Sequence, residues 1–356
     1  MLIIDAHLDL AWNALQWNRD LQNSVQSIRA SESHMPGAGR GHGTVSLQEL
    51  SKGRVALCFA TLIARCTGNP VEDIDYASPV QAYGVAQGQL AYYTALQETG
   101  KIRLITGSTE LDGHMLEWQQ WEQNTESSPP PVGIVISMES ADPILSPEQL
   151  VSWKDMGVRI IGPAHYGVGR YAGGTSSDVG LTSLGIELLA EMERLGIILD
   201  VTHLSDQAFW QALDHFSGPI LASHNNCRAL VPHQRQFSDD QLQAISKRDG
   251  VIGAACDNWM IRPGWVHAGK ENHPVYLTDV VNHIDHICQL TGDSTHTAIG
   301  SDLDGGYGRE QSPADLDTIA DLQKLVDILD ARGYSENDIN NIMHENWLRL
   351  LQRAWV

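Results

Sequence analysis

Positive charge is scarce in this sequence: 23 Lys and Arg stand against 44 Asp and Glu, a formal net charge of −21 over 356 residues. A field of that sign repels phosphate backbones and anionic headgroups, and no Lys/Arg cluster reverses it locally. Nucleic acid and membrane surfaces are therefore not expected as partners. Cysteine is sparse too. The five (Cys58, Cys66, Cys227, Cys256 and Cys288) are scattered, odd in number and without CxxC spacing, which fits unpaired thiols in a reducing compartment better than a disulfide framework. No apolar run approaches the roughly 18 residues that span a bilayer, and no basic or apolar leader opens the chain. These absences predict a cytoplasmic protein. A GxGxxG or Walker-type loop after the first strand, a domain linker, an internal repeat and a low-complexity tract are also lacking.

What is present is a regular alternation. Eight apolar runs rich in Val, Ile and Leu read as strands buried on both faces: "LIIDAH" (2–7), "RVALCFATLI" (54–63), "VGIVISME" (132–139), "VRIIGPAH" (158–165), "GIILDVTH" (196–203), "PILASH" (219–224), "GVIGAAC" (250–256) and "TAIGSD" (297–302). A weaker ninth, "IRLITG" (102–107), is placed outside the barrel. Helical patterns lie between them, among them 183–196, 205–216 and 238–250. The last two open with Ser and Asp at cap-like positions, and the first and third end in Gly. Repeated strand–helix units predict a parallel sheet, and eight of them a closed α/β barrel of the (β/α)8 TIM type. A doubly wound open sheet is the alternative. Such barrels run to roughly 250 to 400 residues as one domain, so residues 1–356 are taken as a single unit. "QNTESSPPPVG" (123–133) reads as a loop with a small insertion, and residues 11–50 as a lid-like excursion after the first strand.

The chemistry collects where the strands end. In "LIIDAHLDLA", His7 and Asp9 are two apart, so on a strand both point the same way and can converge on a cation. The other His-x-Asp, His283 and Asp285, lies in a helical pattern, where that spacing does not converge. Glu139 closes the third strand, His165 the fourth, His203 the fifth, His224 the sixth and Asp302 the eighth. Barrel enzymes carry their sites on that rim, and burying so many titratable groups together is costly unless metal resolves it. The donor set suits zinc or a similar ion. His7 and Asp9 are assigned to one ion, His203 and His224 to a second, and Glu139 bridges. The lysines (Lys52, Lys101, Lys154, Lys247, Lys270 and Lys324) fall outside the strand ends, which argues against a carbamylated-lysine bridge.

"DAHLD", "SMESAD", "DVTHLS", "ASHNNCRALVPHQRQFSDDQL", "IGSDLDGG" and the closing "IMHENWLRLL" occur in an order that resembles the membrane dipeptidase (renal dipeptidase) family of the amidohydrolase superfamily, from residue 2 to about 350. The resemblance implies the same five metal ligands and adds three roles. Asp302 corresponds to the proton-transferring base, with Asp304 as its rival. His165 corresponds to the residue supporting the oxyanion. Arg235 corresponds to the anchor of the substrate carboxylate, with Arg228 as its rival.

The expected activity is therefore hydrolysis of dipeptides, including L-D dipeptides, by a hydroxide activated between two Zn2+, cobalt or manganese being possible substitutes. The resemblance also makes a homodimer plausible, and no GPI-type tail is recognised. Three departures bear on substrate: "GPAHYGVGRYAGGT" surrounds His165 where Thr-His followed by an Asn-rich sequence is usual, Ser140 stands where Gly is usual, and "HEN" (344–346) replaces "GGN". The first keeps open an N-acyl amino acid or a lactam as the amide hydrolysed; a non-catalytic metal-binding barrel is the remaining alternative.

Overall fold

The computed structural model describes residues 1–125, 127–267, 269 and 272–355. Its frame is β1 (Ile3–Leu8), β2 (Val55–Ile63), β3 (Ile102–Leu104), β4 (Val132–Glu139), β5 (Val158–Gly162), β6 (Ile198–Asp200), β7 (Ile220–Leu221), β8 (Ile252–Ala254) and β9 (Thr297–Ile299). Eight of these follow one another around the sheet in the order β7-β6-β5-β4-β2-β1-β9-β8, and every pairing is parallel. The circuit closes between β7 and β8 through one bridge. Ala222 N–H donates to Val251 O at 2.9 Å and Gly253 N–H to Ala222 O at 2.8 Å. This is the α/β barrel that the strand–helix alternation predicts, not the open sheet. β3 stands off the circuit and pairs only with the first residues of β4.

The two faces of the strands feed two cores, as a period of two requires. Ile4, Leu57, Phe59, Val135, Ile160 and Ile198 fill the barrel interior, where Trp347 packs beneath them. Ile3, Val55, Ile134, Ile136, Ile161 and Leu199 face the helices. The helix Asn346–Ala354 plugs the N-terminal end of the barrel, with the Trp347 indole donating to Ile299 O at 2.9 Å and its ring edge-on to Phe59.

Local signals explain the outer helices. Ser183–Leu195 starts on a Thr182 cap and ends at Gly196, whose φ of 66° is left-handed. Asp206–His215 is capped by Ser205, and Asp239–Ser246 by a Ser238–Gln241 capping box. That last helix stops before Gly250, because Asp249 adopts φ 52° and Gly250 N–H bonds back to Ile245 O. Residues 11–50 are not an irregular loop. They contain the helix Val25–Glu32 and run into the helix Leu47–Lys52, and are knitted by Arg19, which is buried and grips both Glu32 oxygens at 2.8 and 3.0 Å and Asp304 at 3.2 Å. In the 123–133 loop, residue 126 lies outside the described residues.

Candidate functional site

The predicted site residues converge on one rim, but most do so from just beyond the strands. His7 lies within β1 and Glu139 ends β4. His165, His203, His224 and Asp302 each come three residues after the last residue of β5, β6, β7 and β9. The ladders are thus shorter than the apolar runs suggest, and the chain turns inward as it leaves them. His203 (φ 68°) and Asp302 (φ 58°) turn through left-handed backbone, as does Ser140 (φ 75°) after Glu139. Gly305 leaves room for this turn, since a Cβ there would sit 2.1 Å from Asp302 Oδ1.

Glu139 occupies the centre. Its Oε1 lies 3.1 Å from His203 Nε2 and 3.4 Å from His224 Nε2, and its Oε2 lies 3.6 Å from His7 Nε2. His7 Nε2 is also 3.8 Å from Asp9 Oδ2 and 3.7 Å from Asp302 Oδ1. Three overlapping triads bring potential ligand atoms within 4.8 Å of one another: His7/Asp9/Glu139, Glu139/His203/His224 and His7/His224/Asp302.

Two features show that this donor set suits a cation. His7 Nε2 and Asp9 Oδ1 are buried without a hydrogen-bond partner, each at a cost of about 1–3 kcal/mol. In addition, His203 Nε2 and His224 Nε2 face each other at 3.1 Å, while their Nδ1 atoms meet Thr175 Oγ1 at 3.0 Å and Ser223 Oγ at 2.9 Å. Hydroxyls accept hydrogen bonds, so both Nε2 lone pairs can turn toward an ion. None of the described lysines lines this pocket; Lys270 lies outside the described residues.

Burial and mutual repulsion shift the titrating groups. Burial pushes Asp302 up to about 8, with Asp9 and Glu139 adding to the rise and His7 and Arg235 opposing it. Burial likewise raises Glu139 to about 7. Burial disfavours the His7 imidazolium, but Glu139, Asp9 and Asp302 outweigh it and hold His7 at about 10. His165, His203 and His224 are pushed well below the ordinary value by burial, with nearby cations adding to it. Glu139 and Asp302, crowded carboxylates that hold protons near neutrality, form a site that would exchange them for a dication.

These groups form the floor of a pocket of about 560 Å³ walled by Trp12, Ile63, Ile74, Tyr166, Trp259 and Met260. Arg235 reaches into it and is only 2% exposed. Its partners are neutral, Asn225 Oδ1 at 2.7 Å and His224 O at 2.9 Å, and it forms no ion pair among the described residues. A buried guanidinium hydrogen-bonded only to neutral acceptors keeps charge with which to meet an anion entering the pocket. Its rival Arg228 is committed to Asp206 at 2.7 and 2.9 Å. Asp304, the rival of Asp302, is buried away from the pocket, accepting from Thr44 and Val45 and paired with Arg19.

Sequence reasoning missed Arg65, whose Nη1 lies 2.9 Å from His165 Nδ1, the pocket walls Trp12, Tyr166 and Trp259, and Asp257. Arg65 follows the end of β2 by two residues, so extending the strand-end rule to cations would have found it.

The profile of the membrane dipeptidase family (peptidase family M19) matches residues 1–355. An uncharacterised protein from the pqqA 5′ region of Klebsiella pneumoniae is 34% identical over 56% of this chain and 73% of its own length. Dipeptidase aclJ of Aspergillus oryzae is 26% identical over 87% of this chain and 70% of its own. A crystal structure of a metallopeptidase from Rhodobacter sphaeroides, liganded with a phosphinate mimic of the dipeptide L-Ala-D-Ala, superposes with a TM-score of 0.77 and 23% identity, covering 100% of this chain and 99% of that one.

Proposed function

We propose, for a chain that belongs to the membrane dipeptidase family and is therefore a metal-dependent peptide-bond hydrolase, that it cleaves dipeptides at the rim cluster, with two zinc ions as its metals. His7 and Asp9 would hold one ion, His203 and His224 the other, and Glu139 both. Once bound, such ions acidify a water and polarise a carbonyl at neutral pH.

The chain's own residues supply the rest. Arg235 pairs with the free α-carboxylate of the substrate, which limits it to chains ending a fixed distance from the scissile bond. His165 donates from Nε2 to the carbonyl oxygen as negative charge develops on it. Asp302, with an affinity for protons near neutrality, takes the proton of the attacking water and delivers it to the departing amine. The aromatic walls exclude bulk water and receive side chains. A D-residue at the C-terminal position is included in the proposal, since the Rhodobacter sphaeroides relative is liganded with a mimic of L-Ala-D-Ala.

The observation that carries this reading is the unpaired buried Arg235 in the same pocket as the His/Glu/Asp cluster. The test is amine release by the zinc-loaded protein from L-L and L-D dipeptides, with N-acyl amino acids alongside. Dipeptide turnover is expected. Turnover of the acyl compounds alone would move the substrate class. Asp302→Asn should lower kcat by about 10²- to 10⁴-fold, and unchanged hydrolysis in that variant would sink the proton-transfer role.

A further inference from the structure

Four histidines share the rim, yet the hydrogen bond made by the far nitrogen of one sets it apart. A neutral imidazole has one N–H and one lone pair, and whichever partner the Nδ1 atom meets decides which of the two Nε2 presents. His203 and His224 meet hydroxyls through Nδ1, so Nδ1 can carry the hydrogen and Nε2 is free to ligate. His165 Nδ1 instead meets Arg65 Nη1 at 2.9 Å. A guanidinium only donates, so Nδ1 must accept, and the hydrogen of His165 is confined to Nε2. That atom points into the site, 3.7 Å from Glu139 Oε1.

The placement of Arg65 is built into the fold. The residue is 5% exposed and its Nη2 pairs with Asp75 Oδ2 at 3.3 Å. The chain folds back beside it, with Arg65 N–H donating to Ile74 O at 2.7 Å and Tyr76 N–H to Arg65 O at 2.8 Å. Ile74, on that returning segment, is itself part of the pocket wall.

We propose that Arg65 is a positioning residue: by donating to His165 Nδ1 it fixes the Nε2–H tautomer, which keeps His165 a hydrogen-bond donor to the reacting carbonyl and bars it from the metal ligand set. This rests on the reading of His165 as the oxyanion donor. Arg65 does not line the pocket; it acts through the imidazole.

The test uses 15N-histidine-labelled, zinc-loaded protein, with His165→Gln to assign the His165 signals. The native protein should show His165 with a protonated Nε2 and a bare Nδ1. In Arg65→Met the restraint is gone, and the Nδ1–H form should appear. Arg65→Lys, whose ammonium also only donates, should restore the native pattern. Because Arg65→Met strands the Asp75 carboxylate, Arg65→Met/Asp75→Asn provides the same comparison without a buried unpaired charge. In dipeptide turnover the Met variants should lose about tenfold to hundredfold in kcat, with KM within about twofold and Lys recovering most of the loss. A folded Met variant that keeps the Nε2–H tautomer and native kcat overturns the proposal. If His165→Gln itself leaves kcat unchanged, the oxyanion reading fails, while the tautomer spectrum still reports on Arg65.

Discussion

Ser140, His203 and Asp302 stand in left-handed backbone, at φ 75°, 68° and 58°, a conformation that costs a non-glycine residue about 1–2 kcal/mol. Each follows or carries a group of the rim, so the strain aims side chains into the site. The Ser at position 140, where the family usually has Gly, is thus a local cost. Ser140→Gly should leave turnover intact and hold or raise unfolding free energy by up to about 1 kcal/mol. Ser140→Val should lose about 1–2 kcal/mol and weaken metal retention by tilting Glu139. Urea unfolding with metal analysis of the three proteins decides this, and a Val variant as stable as native would refute the strain account. Gly305 is constrained differently. The Cβ of Gly305→Ala would meet Asp302 Oδ1 at 2.1 Å, so the carboxylate must move. The expected result is a folded protein with kcat down by about tenfold or more.

At the scale of elements, the same three-letter pattern means two things. His7-x-Asp9 leaves a strand and converges on the rim, whereas His283-x-Asp285 lies on the helix Leu277–Thr291 and diverges. His283 is buried, accepting from Cys227 N–H at 3.1 Å through Nδ1 and donating from Nε2 to Ile261 O at 3.2 Å, while Asp285 bonds Gln289 and Tyr334. Burial lowers His283 to about 4. Below its ordinary 6.5 the unfolded chain takes up a proton that the folded chain refuses, so this contribution is present above pH 6.5 and is lost as pH falls toward 4. The loss is at most about 3 kcal/mol. His283→Gln should be less stable than native at pH 7 but lose less stability between pH 7 and pH 5, and equal losses in both proteins would contradict the assignment. The strand runs and their order were legible because period and apolar composition mark them before any folding. The offset of three residues beyond β5, β6, β7 and β9 was not, because the turns depend on backbone conformations set by packing. Arg65 was not legible for a similar reason. Its role exists only once residues 65–76 fold back and set its guanidinium against a histidine a hundred positions away.

Across the whole molecule, the proposed metal ligands come from β1, β4 and the chain just after β6 and β7, segments far apart in sequence. Ions held there would tie these segments together only in the folded state, so they stabilise it by mass action, about 2.7 kcal/mol at a hundredfold excess over Kd and about 4.1 at a thousandfold. The net charge of −21 adds a long-range attraction that raises local cation concentration and fades with salt. Chelation should therefore lower the thermal midpoint by several degrees and abolish dipeptide turnover, and zinc should restore both. The carboxylate at the centre gives the sharper version. Glu139→Gln keeps the shape of the side chain but removes the charge that faces both His7 and the His203/His224 pair. Metal analysis of the dialysed variant should then show loss at both positions, and its midpoint should no longer respond to chelator. A Glu139→Gln protein that retains two ions per chain would show that the two histidine groups bind independently, and the bridging role would be lost.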